Sequence, residues 1–304
     1  CALLSNGTVK CWGKRADGYL GDGKTGYKSS PVTVSGLSSA SVGSAYDHTC
    51  VVAGGAVKCW GKNIDNQLGD GSATNRSTPV SVSSISTASK VEVGYHHSCA
   101  LLDDKTAQCW GYNNYGQLGD QTTTQRTTPV NVSNLTSVKD IDSGDYHSCA
   151  AHDNGSVNCW GRNSEGQLGD GTTTNRNTPV IISGISTATQ ITLFSHSSCV
   201  LLSDGSVKCW GQNHIGQLGD GTSTQRNTPV SVTGISTATQ ISLGYNHSCA
   251  KLSDSTIKCW GSNYYGRLGD GTTTQRTTPV SVSGISNATQ ISLGSSHTCA
   301  RLSD

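Results

Sequence analysis

Thirteen cysteines in a chain of 304 residues invite either redox or metal chemistry. Twelve fall in pairs, Cys1/Cys11, Cys50/Cys59, Cys99/Cys109, Cys149/Cys159, Cys199/Cys209 and Cys249/Cys259, and Cys299 stands over. None of the pairs has CxxC spacing, and two thiols per pair supply half of a tetrahedral zinc site. The residues between the cysteines point instead to disulfides. In the fifth pair, Val200 to Leu202 and Ser206 to Cys209 read as strands joined by Ser203-Asp204-Gly205. A three-residue hairpin with glycine in the left-handed third position pairs Leu202 with Ser206, and counting outward sets Cys199 opposite Cys209. In the second pair the spacing is one residue shorter and the linker is Gly54-Gly55, a type I′ signature. That turn pairs Ala53 with Ala56 and again sets Cys50 opposite Cys59. The turn changes with the spacing and the cysteine register does not. Cross-strand disulfides are the leading expectation, free buried thiols the second and metal the third. Oxidised pairs imply an exporting route and an extracellular or cell-surface location. Cys299 is expected to pair some ten residues past the end of this sequence.

Two further sets of reactive side chains recur with the cysteines. His48, His97, His147, His196, His247 and His297 fall at or near a Gly-x-x-His position. A catalytic residue is needed once, so repetition in every unit points to structure: an imidazole bonded to backbone where a strand turns. Asp22, Asp70, Asp120, Asp170, Asp220 and Asp270 end a Leu-Gly-Asp triplet, and five of them precede an arginine by six residues (Arg76, Arg126, Arg176, Arg226 and Arg276). A loop-bracing ion pair is the expectation. One carboxylate per loop falls short of the six to eight oxygens that calcium takes. No nucleophile elbow, Walker loop or zinc-protease motif is present. The only glutamates, Glu92 and Glu165, lie in different repeats, which leaves a glycosidase pair unsupported. The reading is a non-enzymatic protein without cofactor or metal. Seven Asn-x-Ser/Thr sequons occur, of which Asn6 and Asn154 sit at hairpin tips and are the accessible candidates for glycosylation.

These residues are held in place by a phrase written six times. Cys-Trp-Gly begins at Cys11, Cys59, Cys109, Cys159, Cys209 and Cys259, and all six tryptophans (Trp12, Trp60, Trp110, Trp160, Trp210, Trp260) share one register with all six prolines. Successive tryptophans are 50 residues apart except for one step of 48. Such a period means stacked units. Each reads as four short strands, in the fifth unit His196–Leu202, Ser206–Trp210, a strand opening at Pro229, and Thr239–Gly244. Proline is expected at that strand's entry, where its missing N–H costs the ladder nothing. The fold class is all-β, a β-propeller of four-stranded antiparallel blades, with an elongated solenoid as runner-up. Repeats fall near residues 1–49, 50–98, 99–148, 149–198, 199–248 and 249–298, followed by a partial unit, 299–304, in one domain spanning 1–304. Alternation along Val207-Lys208-Cys209-Trp210 puts disulfide and indole on opposite faces of a blade, each toward a different neighbour. Formal net charge is +1, which gives no electrostatic footprint for nucleic acid, and no apolar run reaches the roughly 20 residues of a membrane span. The chain opens within a repeat and has no methionine, so it is expected to be a segment of something longer.

The stretch Gly244 to Val280, GYNHSCAKLSDSTIKCWGSNYYGRLGDGTTTQRTTPV, resembles the repeat of the regulator of chromosome condensation family. That repeat runs Gly-x-x-His, a hairpin, Trp-Gly-x-Asn-x-x-Gly-Gln-Leu-Gly and a proline-led strand, and the resemblance covers essentially the whole chain. It implies a propeller of seven blades for the intact protein, of which six full repeats and the start of a seventh are present. Departures are local. Ser197 replaces the histidine of the fourth unit, Lys105 and Ser255 stand where a turn wants glycine, and Gln121 replaces the glycine after the aspartate. The paired cysteines depart from the nuclear members and are closer to secreted bacterial relatives. By resemblance the family includes inhibitors that clamp an enzyme with one face, and a nuclear guanine-nucleotide exchange factor. Exchange is disfavoured here by the cysteines, the neutral charge and the absence of a basic tail.

What differs between repeats is the stretch after each Cys-Trp-Gly and the pair before each histidine. The first runs from Lys14-Arg15-Ala16-Asp17 in one unit to Ser262-Asn263-Tyr264-Tyr265 in another, and the second includes Tyr46-Asp47 and Tyr95-His96. Loops on a rigid scaffold carry binding surfaces, and tyrosine with asparagine and arginine is a paratope-like composition. The candidate partner-binding residues are Tyr95, Tyr112, Asn114, Tyr115, Tyr146, Arg162, Glu165, His214, Ile215, Tyr245, Tyr264 and Tyr265. The expected function is binding another protein or a surface polymer through one face of loops, with self-association in an extracellular assembly as the alternative. No nucleic acid and no membrane insertion are expected for this segment.

Overall fold

The computed structural model describes residues 1–14, 16–37, 41–44 and 47–303, which divide into two compact units. The first comprises Cys1–Ser148 with Arg176–Pro179, the second Cys149–Asn175 with Val180–Asp304.

The first unit holds a three-stranded sheet (Ala2–Leu3, Val9–Lys14, Tyr27–Thr33) and two of four strands. These are Ser41–Ser44, His48–Ala53, Ala56–Gly61 and Arg76–Ser81, then Ala88–Val93, His97–Leu102, Ala107–Gly111 and Arg126–Asn131. In the second unit one four-stranded sheet is Ala188–Phe194, Ser197–Leu202, Val207–Gly211 and Arg226–Ser231. Another is Ala238–Leu243, His247–Leu252, Ile257–Gly261 and Arg276–Ser281, and Ala288–Leu293 pairs with Thr298–Leu302. All resolved pairings are antiparallel between strands consecutive in the chain.

The strand grouping differs by one from that read in the sequence. Ala238–Leu243, expected to close the fifth sheet, opens the next one. The cause is the Gly244–His247 corner, where Gly244 N donates to His247 O at 2.8 Å and pairs Leu243 with Ser248 in a tight hairpin. Short connections of this kind keep neighbours in one sheet. The proline strand is also longer than expected. It runs Arg226–Ser231, so Pro229 lies inside it rather than at its start. The ladder tolerates this because the strand is the outer edge of its sheet and bulges there: Cys209 faces Val230, and the next pair is Gly211 with Arg226.

The cysteine register is as expected. Cys199 stands opposite Cys209 and Cys50 opposite Cys59, with the two-residue turn pairing Ala53 and Ala56. All six pairs are disulfide-bonded with Cα atoms 4.0–4.1 Å apart, and Cys299 carries an exposed free thiol. Lys105, Gln121 and Ser255 take the left-handed backbone that the repeat otherwise assigns to glycine.

Disulfide and tryptophan pack toward opposite neighbours. Trp210 is buried with Cys149, Cys159, Leu168 and Ile182 of the preceding repeat, while Cys199 and Cys209 are buried with Trp260 of the following one. Trp12 departs from the expectation that all six tryptophans anchor blades. It is 49% exposed, whereas the other five indoles are buried.

Candidate functional site

A polar network spanning neighbouring repeats fixes the loops at one end of the strands. His48 Nε2 lies 2.8 Å from Ser98 Oγ, and Ser98 Oγ donates to the Gln67 carbonyl at 2.8 Å. Trp110 Nε1 donates to the same carbonyl at 2.9 Å. Because the hydroxyl gives its proton to a carbonyl, it must accept from the imidazole, which fixes the Nε2–H tautomer. His97, Ser148 and Gln117 repeat the arrangement at 2.9 and 3.0 Å, and His247, Thr298 and Arg267 at 3.0 and 2.9 Å. Burial holds the imidazoles neutral, with His48, His97 and His247 pushed down to about 3. The sequence reading had these rings bonding backbone. His48 and His97 bond a hydroxyl of the next repeat instead, whereas His247 bonds both such a hydroxyl and the His297 backbone, and His196 bonds the Ser195 backbone.

The glycine of Gly-x-x-His has a matching reason. A Cβ on Gly144 would lie 2.3 Å from His147 Cε1 and 2.5 Å from its Nδ1. In the fourth unit the ring is absent, Ser197 standing in its place, and the glycine is absent with it, replaced by Phe194.

A second network shapes the loop after each Cys-Trp-Gly. The Asn63 side chain accepts from Leu68 N at 2.9 Å and donates to Asp70 Oδ1 and to the Ser72 carbonyl. Asp70 Oδ1 also accepts from Ser72 N and Oγ, and Oδ2 from Arg76 Nε at 2.9 Å. These bonds hold the carboxylate below its ordinary range against the effect of burial. Asn213, Asp220 and Arg226 do the same. Asp70 and Asp220 are therefore occupied as loop braces, and among the described residues no group of three His, Cys, Asp or Glu is arranged to hold a metal. With the asparagine and the aspartate fixed, the two positions after the asparagine, such as Ile64 and Asp65, are the ones that vary between repeats.

In the first unit variable residues gather from this loop and from the pair before each histidine. Tyr95, His96, Tyr112, Tyr115 and Tyr146, from two successive repeats, form one cluster of half-buried rings. Tyr146 is its hub, with ring centroids 5.4 Å from Tyr115, 6.0 Å from Tyr112, 6.3 Å from Tyr95 and 5.7 Å from His96. Most contacts are edge-to-face, the geometry aromatic pairs prefer. Burial, then the Asp145 charge, pushes the Tyr146 phenol up to about 12. Asp65 Oδ2 lies 2.7 Å from His96 Nδ1, and Lys62 pairs with Asp47 at 3.2 Å. Burial lowers His96 despite the Asp65 charge. Ile64 is exposed beside Asp65, and Asn114 is exposed beside Tyr115.

The remaining candidates lie in the second unit and do not form one cluster. Arg162 Nε donates to Ser164 Oγ at 2.9 Å, and His214 Nε2 lies 3.9 Å from Glu165 Oε2. Tyr264 and Tyr265 are exposed, 4.8 Å apart edge to face, and the Arg267 guanidinium sits 5.4 Å from the Tyr265 ring centre. Tyr245 is exposed and Ile215 half-buried. The variable positions Arg15 and Tyr46 lie outside the described residues. Sequence reasoning left His96 and Arg267 out of the candidate set. Arg267 was findable, since it breaks the Gln-Leu-Gly motif kept by Gln67, Gln117, Gln167 and Gln217.

A family model for the RCC1-like domain matches residues 1–250, and models of the regulator of chromosome condensation (RCC1) repeat match residues 238–267 and 259–301. A search of curated proteins finds no match. Among solved structures, yeast RCC1 (Prp20) bound to Kap60 is similar with a TM-score of 0.86 at 20% identity, covering 100% of this chain and 78% of that one. Human WBSCR16 is similar with a TM-score of 0.84 at 21% identity, covering 97% and 86%. The CRINKLY WD40 ectodomain of the Arabidopsis thaliana receptor kinase ACR4 is similar with a TM-score of 0.51 at 18% identity, covering 85% and 73%. Likeness at these identities establishes the fold, a β-propeller of four-stranded antiparallel blades.

Proposed function

The chain belongs to the RCC1-like repeat family, and from that premise we propose that it is a non-enzymatic, extracellular or cell-surface propeller domain that binds another protein through its variable loops. The observation that carries this reading is the tyrosine cluster of the first unit. Tyr95, Tyr112, Tyr115 and Tyr146 vary between repeats, yet they meet in one place on a frame that the Asn63 and Gln67 networks hold rigid. Tyrosine presents large contact area with few torsions to freeze, which makes it a frequent binding hot spot. Two observations support the location: six disulfides in one chain, and likeness to a receptor ectodomain. That yeast RCC1 is found bound to Kap60 supports protein binding as a use of the fold.

The test is capture from the native extracellular milieu. Wild-type chain should retain a partner that a variant with Tyr95, Tyr112, Tyr115 and Tyr146 all changed to alanine loses, both proteins keeping six disulfides. Equal capture by the two refutes the loop-face reading. Acceleration of nucleotide release from a small GTPase would favour exchange instead.

A further inference from the structure

The ring cluster has a chemical character beyond its tyrosines. Its best-defined charge is the Asp65 carboxylate, 2.7 Å from an imidazole that burial keeps neutral, so the ring does not cancel it. The nearby Asp47 and Lys62 offset each other at 3.2 Å. The surface therefore combines electron-rich ring faces, a carboxylate beside them, and the exposed apolar side chain of Ile64. Cations are drawn to aromatic faces within about 6 Å of the ring centre, and most strongly where an anion stands close by. The second unit shows that a tyrosine of this same loop accepts a guanidinium, since Arg267 sits 5.4 Å from the centre of the Tyr265 ring. At the positions corresponding to Arg267, the two loops that carry Asp65 and Tyr115 have the uncharged Gln67 and Gln117.

We propose that the surface formed by Asp65, His96 and Tyr112 docks a basic segment of a partner protein, seating an arginine or lysine side chain against the rings and beside the Asp65 carboxylate. This rests on the loop-face reading above and names the chemistry of its partner. An anionic partner would meet a like charge at Asp65. A neutral glycan could stack on the rings but would gain nothing from the carboxylate. A cation uses both.

The probes are hexa-arginine, hexa-glutamate and cellohexaose peptide or sugar oligomers, titrated calorimetrically into the intact chain. Hexa-arginine should bind, more weakly as salt rises, and hexa-glutamate should not. The paired substitution Asp65→Asn with Tyr112→Ala should weaken hexa-arginine binding about tenfold or more, the loss of one ring contact and one charge contact. Tyr264→Ala with Tyr265→Ala, in the other unit, should leave it within about twofold. Asp65→Asn alone removes charge without removing a ring, so it reports on the site even if the double variant folds poorly. The proposal is overturned if hexa-glutamate binds equally, if cellohexaose binds and hexa-arginine does not, or if binding ignores both Asp65 variants. Loss of the captured partner from the tyrosine variant without any hexa-arginine binding would sink this inference and leave the loop-face reading standing.

Discussion

Replacing Gly144 by alanine should be costly for one identifiable reason, the His147 ring. Gly144 does not use left-handed backbone, so alanine brings no conformational strain of its own. The new Cβ would lie 2.3 and 2.5 Å from two atoms of a fully buried imidazole, about 1 Å inside ordinary contact. Overpacking of a well-filled site by one methyl costs about 1–3 kcal/mol. His147→Ser alone removes a buried ring and carries its own cost, within the roughly 0.5–3 kcal/mol of most substitutions. In the double variant the methyl enters space that the ring has left, so the two costs should not add. The expected coupling is favourable and close to the clash itself, about 1–3 kcal/mol. The fourth repeat is the precedent, with Phe194 and Ser197 replacing glycine and histidine together. Gly184→Ala is the control. Nothing lies within 4 Å of its Cβ, but its φ is +77°, so its penalty is strain and should add to that of His147→Ser. Urea unfolding followed by tryptophan fluorescence gives all the numbers. If the Gly144 and His147 costs add to within about 0.5 kcal/mol, the steric account of Gly-x-x-His is wrong.

Trp210→Ala should lose about 3–5 kcal/mol in the same assay and Trp12→Ala clearly less, because one indole is fully buried against the preceding repeat and the other is 49% exposed. Acid should destabilise the fold. His48, His97 and His247 fall from an ordinary 6.5 to about 3 on folding, so the stability they contribute is whole above about pH 6.5 and is lost as pH falls toward 3. Each buried ring withdraws about 1.4 kcal/mol per pH unit in that window, and a urea midpoint unchanged between pH 7.5 and about 5 would refute it. Peptide mapping without reduction should return six local pairs, from Cys1–Cys11 to Cys249–Cys259, and free thiols at those twelve positions would refute the pairing. Reduction should then lower the melting temperature, each ten-residue loop being worth roughly 2–3 kcal/mol.

Local geometry was the part of this protein most legible in its sequence. The Ser203-Asp204-Gly205 and Gly54-Gly55 turns each dictate a register, so the cysteine pairing follows from counting. What escaped were features that exist only between repeats. No single repeat shows that the serine after one histidine serves the histidine of the repeat before, as Ser98 serves His48, nor that Gln67 lends its carbonyl to a tryptophan 43 residues on. Pro229 was placed at a strand entry because a central ladder would reject it. The edge position and the bulge beside Trp210 remove that objection, and neither is visible in Arg226–Ser231 alone. The candidate loops were recognisable as the varying positions. Which of them converge was not, because convergence of Tyr95, Tyr112, Tyr115 and Tyr146 depends on how adjacent repeats stack.

The same networks explain why variation is confined as it is. A residue such as His97 answers to Gly94 in its own repeat and Ser148 in the next, so changing it alone leaves a buried partner unsatisfied or a cavity open. The fourth repeat departs at two positions together, Phe194 and Ser197, while the repeat that carries His48 keeps the ring and has Ala45 at the glycine position. The variable loop residues stand outside that frame, because Asn63 and Asp70 close the loop's own bonding, and contacts such as Asp65 with His96 are made to other variable residues. Substitution there leaves the Asn63 and Asp70 bonds intact. A surface can therefore be rebuilt one residue at a time on an unchanged frame, and the aromatic and acidic character around Tyr112 and Asp65 can be tuned to a partner without any matching change in the repeats beneath it.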